Sequence, residues 1–255
     1  MKPAGAGAVM ADRARGEVAG DSAAVALHRR LEFFPTPPWS ARAGGELIGE
    51  IDPPQRGRQW ECWEPACGLG HMAHGLAPWF RHVRATDIHD YGCDLLNFTC
   101  DFLGPEADGF EPVDWIVTNP PFGLAAEFVA AGLRRARRGV AILARSTFFE
   151  SATRFALFFD PGQRLYAFAP FFERVPMTLG RWDPRASTAT AYAWFVWMTP
   201  AAAADMSQQT RRLLSLRPEV WPIAPGTRER LTRPADARDW GVKADAPLFE
   251  GVGGG

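Results

Sequence analysis

Glu64-Pro65-Ala66-Cys67-Gly68-Leu69-Gly70 is the stretch on which the fold turns. In front of it, Gln59 to Trp63 reads as a short strand. Behind it, Gly68 to Phe80 reads as a helix entered through a glycine turn. The same alternation continues outward. Val83 to Thr86 is a second strand, closed by Asp87. Asp114 to Thr118 is a third, closed by Asn119-Pro120. Ala125 to Arg138 has helical composition, with arginines gathered at its end where they suit the helix dipole. Gly139 to Ala144 is a buried-type strand, and Arg164–Phe168 and Ala191–Met198 are later ones. Strands alternating with helices predict a mostly parallel α/β sheet covered on both faces. In such sheets ligands bind at the carboxyl ends of the strands. Three loops fall there: 64–70, 87–92 and 119–123.

The first loop has the chemistry of a small-molecule cradle. Gly68 and Gly70 remove side chains where a ligand must approach the backbone. Asp87 follows Gly70 by seventeen residues, directly after the next strand, where an acid can accept from two ribose hydroxyls. A dinucleotide fingerprint would need a third glycine where Ala73 stands, and Glu64 suits a cationic group rather than a phosphate. The third loop, Asn119-Pro120-Pro121-Phe122, carries the most specific signal. Two prolines hold the backbone extended. The Asn119 side-chain carbonyl and the Pro120 carbonyl can then aim two acceptors at one point, and a planar –NH2 group places two donors there. Drawing that nitrogen toward tetrahedral geometry frees its lone pair for attack. Phe122 offers a flat face for stacking a planar target.

These motifs resemble class I S-adenosylmethionine-dependent amino-methyltransferases, in particular small phage- and prophage-type DNA N6-adenine methyltransferases. Glu64–Gly70 is similar to the family's first motif, and Asn119–Phe122 to its Asp/Asn/Ser-Pro-Pro-Tyr/Phe motif. Thr36-Pro37, within Phe33–Trp39, resembles the segment that packs over the cofactor's methionine part. Asp101-Phe102 falls where the family contacts adenine. Residues 172–197 resemble its closing strand hairpin. The likeness spans about residues 30–200. It implies an α/β, Rossmann-like class I methyltransferase sheet, mostly parallel with a closing antiparallel hairpin and helices on both faces. It implies S-adenosyl-L-methionine as cofactor, bound by Thr36, Pro37, Glu64, Ala66, Cys67, Gly68, Gly70, Asp87, Ile88, Asp101, Phe102 and Asn119. It makes Asn119, Pro120, Pro121 and Phe122 the catalytic set, methylating an exocyclic amine, N6 of adenine in DNA, by base flipping and direct transfer. Two other readings fit the same motifs: an amino-methyltransferase of ribosomal adenine or guanine, and a cofactor-binding subunit without chemistry.

Charge bears on the substrate. The formal net charge is −1, which excludes a broadly basic coat. Yet residues 85–114 hold eight acids and no lysine or arginine, whereas residues 120–190 hold ten arginines against five acids. Arg174, Arg181 and Arg185, with Trp182, lie in the expected substrate-facing loop 171–190 and are the expected DNA contacts. Residues 1–27 and 251–255 read as disordered tails, 28–200 as the catalytic domain and 201–250 as a short extension that docks on it. No separate recognition domain follows, which leaves a homodimer or a specificity partner open. Cys62, Cys67, Cys93 and Cys100 lack zinc-type spacing and suggest reduced thiols in a cytoplasmic protein. His71 and His74, one turn apart, are weak evidence for a metal, and none is expected. No apolar run is long enough to span a membrane.

Overall fold

A computed structural model of the chain describes residues 23–54, 59–160, 165–205 and 218–241. The elements, in chain order, are α1 (Ala23–Arg30), α2 (Pro38–Ile51), β1 (Glu61–Glu64), α3 (His71–Leu76), β2 (His82–Asp87), β3 (Phe98–Thr99) and β4 (Val113–Thr118). Then follow α4 (Ala125–Arg135), β5 (Ala136–Arg145), α5 (Phe155–Phe159), β6 (Leu165–Pro170), β7 (Tyr192–Met198), α6 (Pro200–Ala204), β8 (Glu219–Val220), α7 (Thr227–Leu231) and α8 (Pro234–Trp240). The eight strands form one sheet in the order β3-β2-β1-β4-β5-β7-β6-β8. β1 to β5 pair in parallel, and β7 runs antiparallel between β5 and β6. The expected mostly parallel sheet with a closing antiparallel pair is therefore present.

Side chains alternate across this sheet with period two, and both faces are apolar. Trp115, Val117, Ala141, Leu143, Trp194 and Val196 face one core, which α2 covers with Trp39, Leu47 and Ile48. Ile116, Val140, Ile142, Phe195 and Trp197 face the other, covered by Phe128 and Val129 of α4 and Phe158 of α5. The central strands are thus continuous apolar runs, as a sheet sandwiched between helices requires. The two buried tryptophans of β7 each keep an acceptor: Trp194 Nε1 donates to Ser40 O at 3.1 Å and Trp197 Nε1 to Leu157 O at 2.9 Å.

Several expected bounds shift. The helix expected over 68–80 is only six residues long, because Gly70 caps it in the left-handed conformation and the chain turns again after Leu76. The helix expected over 125–138 ends at Arg135. Ala136 already pairs with Val113, so Arg137 and Arg138 belong to β5. Pairing with β4, rather than the helix dipole, decides their place. Arg138 lies over Trp60 and pairs with Asp52 and Asp205, while Arg135 pairs with Asp108 and donates to Phe102 O at 2.8 Å. Most of the expected tail 1–27 and all of 251–255 lie outside the described residues, as does Arg164, but residues 23–27 of that tail are helical. No helix among the described residues is long and apolar enough to cross a membrane.

The expected docking of the extension has a clear physical basis. Asp236 of α8 and Arg42 of α2 are almost wholly buried and joined by two hydrogen bonds of 2.6 and 2.7 Å. Burial alone would raise the Asp236 pKa, but Arg42 outweighs it and the net shift is downward. Trp240 then packs against the rings of His71 and His74, each 5.0 Å away. The extension is thereby clamped to the helix that follows the first loop.

Stranding one partner of such a pair costs about 3–5 kcal/mol, and a chain of this size loses about 2–4 °C of Tm per kcal/mol. Asp236→Ala is therefore expected to lower the calorimetric Tm by about 6–20 °C. The double variant Arg42→Met/Asp236→Leu should recover most of that loss. An unchanged Tm in the single variant would show that the pair carries no stability.

Candidate active site

The first loop and the asparagine loop meet at the carboxyl end of the sheet because β1 and β4 are neighbours there. Glu64, the last residue of β1, has no solvent exposure. Its Oε1 accepts from Thr118 Oγ1 at 2.6 Å and from Ala66 N at 3.0 Å. Its Oε2 is buried with no partner among the described residues. Burial pushes the Glu64 pKa from its ordinary 4.5 up to about 8, against those two bonds, so with the protein's own groups alone around it the carboxyl is neutral near pH 7. A cation placed against Oε2 would restore the carboxylate.

The loop between β1 and α3 is pinned to the end of β2. Cys67 N donates to Thr86 O at 3.0 Å, and Gly68 N to Asp87 Oδ2 at 2.8 Å. Asp87 Oδ1 accepts from His89 N at 3.0 Å. Asp87 is buried, and burial raises its pKa to about 6 although those amides oppose the shift. Each of its oxygens keeps a second lone pair for a ligand hydroxyl. Gly68 and Gly70 have φ of +52° and +86°, where side chains are strained. A Cβ on Gly68 would also stand 2.4 Å from the Phe33 ring. The first glycine therefore makes room for a strap of protein crossing the loop, as well as for any ligand.

That strap is the segment between α1 and α2. Together with the strand ends it encloses a cavity of about 760 Å3, open mouth included, a size suited to a cofactor. Of the residues expected to bind cofactor, Thr36, Glu64, Ala66, Cys67, Asp87, Ile88, Asp101, Phe102 and Asn119 line it. Pro37, Gly68 and Gly70 do not; Gly68 acts through its amide on Asp87. Phe102 lines the cavity yet is held between Trp63 and Phe128, with ring centroids 5.1 Å away in each case. Asp101 is partly exposed, with Oδ1 accepting from Leu103 N at 2.9 Å. Sequence reasoning missed Phe33 and Tyr91, whose rings stack at 4.4 Å beside the cavity, and His71, which also lines it. No spacing rule relates a strap residue to a loop 58 positions later, so only the fold could pair those rings.

Asn119 joins the cavity to its mouth. Its Nδ2 donates to Phe34 O at 3.0 Å, and Met177 Sδ lies 3.7 Å away. A backbone carbonyl can accept only from the nitrogen, so the amide orientation is fixed and Oδ1 faces away. That oxygen is buried and has no partner among the described residues. Pro121 also lines the cavity, while Pro120 is buried behind it. Phe122 lies outside the cavity, near Phe34 (5.2 Å) and Tyr192 (6.4 Å), with the Arg145 guanidinium over its ring at 4.5 Å.

The loop after β6 divides the expected DNA contacts. Arg174 and Arg185 are exposed, and Arg181 is half-buried, its carbonyl accepting from Thr178 Oγ1 at 2.6 Å. Trp182 does not fit that role. It is 2% exposed and meets His71 edge-on at 6.4 Å. Its large apolar surface is used to seat the loop against α3, so no nucleic acid reaches it. His71 itself is buried 3.2 Å from Trp240 O, and burial pushes its pKa down to about 4. Among the described residues no three His, Cys, Asp or Glu side chains form a metal-holding group.

No known protein-family profile matches the sequence, and no curated protein is similar to it. Solved structures are similar in fold. One is a Pyrococcus horikoshii protein assigned as an RNA methyltransferase: TM-score 0.52 at 12% identity, covering 76% of this chain and 97% of that one. Another is a Listeria monocytogenes protein assigned as a class I S-adenosylmethionine-dependent methyltransferase: TM-score 0.50 at 13% identity, covering 91% of this chain and 77% of that one. The fold is the Rossmann-like fold of class I methyltransferases.

The state of Glu64 is measurable. The folded chain binds a proton there that the unfolded chain releases near its ordinary pKa. Stability should therefore fall as pH rises from about 4.5 to about 8. Glu64→Gln is expected to flatten that part of the Tm–pH curve. Parallel curves for variant and wild type between pH 5 and 8, measured without added cofactor, would mean that Glu64 is already ionised in the folded chain.

Proposed function

We propose that this chain is an S-adenosylmethionine-dependent methyltransferase acting on an exocyclic amine, N6 of adenine in DNA. The observation that carries the reading is the buried Asn119 Oδ1, an acceptor with no partner, held beside a cavity whose floor carries a second unpartnered oxygen, Glu64 Oε2. An unmet buried acceptor costs about 1–3 kcal/mol, so a site keeps one where a ligand donor will meet it.

The residues fit the cofactor. Glu64 Oε2 meets a cationic part of it, and the Asp87 oxygens meet ribose hydroxyls. Asp101 and Phe102 meet the base. When bound, S-adenosylmethionine supplies a methyl group on a positively charged sulfur. The chain's own part is placement. Asn119 Oδ1 accepts one N–H of the target amine, and the Pro120 carbonyl is the second acceptor that the motif's resemblance implies. The nitrogen lone pair is thereby turned out of the ring plane toward the cavity. Alignment of this kind can supply roughly 7–11 kcal/mol of a barrier. No strong base is required, because the nitrogen becomes acidic as its bond to carbon forms, and its proton passes to water. A duplex base must first leave the stack, at a cost of a few kcal/mol.

The resemblance of the asparagine motif to adenine enzymes, and the exposed Arg174 and Arg185 of the loop after β6, support DNA as substrate. The Pyrococcus neighbour's assignment favours the RNA reading. Methylation-sensitive sequencing of genomic DNA, with modification mapping of ribosomal RNA, from cells expressing the chain decides between them. One methylated adenine motif in DNA is the expected result; an unmodified genome beside methylated ribosomal RNA would replace it.

Asn119→Ala is expected to lower kcat at least about 100-fold, the cost of lost alignment. Its calorimetric affinity for S-adenosylmethionine should change little, since Asn119 meets the cofactor only at the cavity's edge. Turnover within a few fold of wild type would refute the acceptor role.

A further inference from the structure

Five arginines of the described residues lie over aromatic rings: Arg84, Arg135, Arg138, Arg145 and Arg154. Four of them are anchored by a protein oxygen. Arg84 donates to Glu111 O at 3.0 Å and Arg154 to Phe148 O at 3.0 Å, while Arg135 and Arg138 meet Asp108 and Asp52. Arg145 differs from them: its oxygen partner is a neutral side-chain hydroxyl rather than a carboxylate or a backbone carbonyl. It is exposed, and among the described residues no carboxylate lies within ion-pair distance of it. Its polar neighbour is the Tyr192 hydroxyl, its partner residue across the β5–β7 ladder.

Its position is specific. Arg145 ends β5, next to the strand end that carries Asn119. Its guanidinium lies 4.5 Å over Phe122, the ring expected to stack the target. A planar cation therefore rests on the surface that a planar base would take. Cation–π contact at an exposed ring and base–aromatic stacking are of comparable strength, so one can replace the other. An arginine moved off that ring, with the neutral Tyr192 hydroxyl and no carboxylate of the described residues beside it, presents a fork of donors that matches a phosphate.

We propose that Arg145 is the backbone anchor of the target pocket: it leaves the Phe122 ring when the target base enters and pairs with a phosphodiester flanking that base. This rests on the reading of the chain as a nucleic-acid methyltransferase. It assigns the pocket a polyanionic substrate and disfavours a protein amide, which has no phosphate to offer. It also separates Arg145 from Arg137 and Arg138 at the opposite end of β5, where carboxylates lie beside them.

The test is the salt dependence of binding by the full chain to single-stranded DNA and RNA 20-mers of one sequence, in the presence of S-adenosylhomocysteine. Each phosphate contact on a single strand contributes about 0.7 to the slope of log K against log salt. Arg145→Gln should reduce the magnitude of the DNA slope by about that amount, and Arg145→Lys should largely restore it. Tm and cofactor affinity of both variants should match wild type. An unchanged slope in Arg145→Gln overturns the proposal, and so does weaker binding with a wild-type slope, which is what a packing role would give. A slope effect confined to RNA moves the contact, and the substrate, to RNA. Tight DNA binding without methylation would sink the enzymatic reading and leave the Arg145 contact standing. Binding to neither strand would overturn both.

Discussion

A carboxyl group with one oxygen satisfied and the other abandoned organises this molecule. Glu64 ends β1 in a place without water. One oxygen takes the Thr118 hydroxyl from the end of β4 and the Ala66 amide from the first loop. The first loop and the strand end that leads into the asparagine loop are thereby fastened to one atom. The other oxygen finds no donor among the described residues. Burying an unpaired charge is expensive, so the group favours its neutral form. Thr118 immediately precedes Asn119, so the bond that seats Glu64 also fixes where the asparagine amide begins.

The strap between α1 and α2 completes the same economy of donors and acceptors. Phe34 O takes Asn119 Nδ2, Phe33 O takes Gly180 N, and Glu32 Oε2 takes Gly123 N. One short segment thus touches the asparagine motif, the turn behind it and the loop after β6. Opening the strap would free the cavity and loosen the asparagine loop together. From the far side, α8 holds α3 through Trp240, so the helix leaving the first loop is bound by a segment remote in sequence.

The charge pattern also acquires a structural meaning. The acidic stretch 85–114 is largely local architecture: Asp87 and Asp101 hold loop amides at the cavity, Asp108 pairs with Arg135, and Asp114 accepts from Glu61 N. The arginines that follow divide by position along β5. Those at its beginning are engaged by acids, and Arg145 at its end is not. Net charge near zero is therefore compatible with an exposed cation such as Arg145, because several acids are engaged by arginines elsewhere.

The sequence by itself determined the sheet, because period-two apolar strands and glycine turns are local. It determined the chemistry of the loops for the same reason: Glu64–Gly70 and Asn119–Phe122 each carry their residue types within a few positions. The ends of the six longer strands were legible to within a residue or two, except where long-range pairing overrode helix composition at Ala136, whereas β3 and β8, two residues each, are too short to carry a periodic signal. Tertiary structure alone decided which side chains those loops would meet. Trp182 looked like a free aromatic in an arginine loop, yet burial against α3 removes it from the surface. Tyr91 joined the cavity without any sequence signal, and Phe33 and His71 joined it in places that the sequence did not assign them. Arg145 resembled any other arginine until its neighbours were known. Propensity and motif act along the chain, but whether a charge is paired or an acceptor unmet depends on atoms that the chain brings from far away.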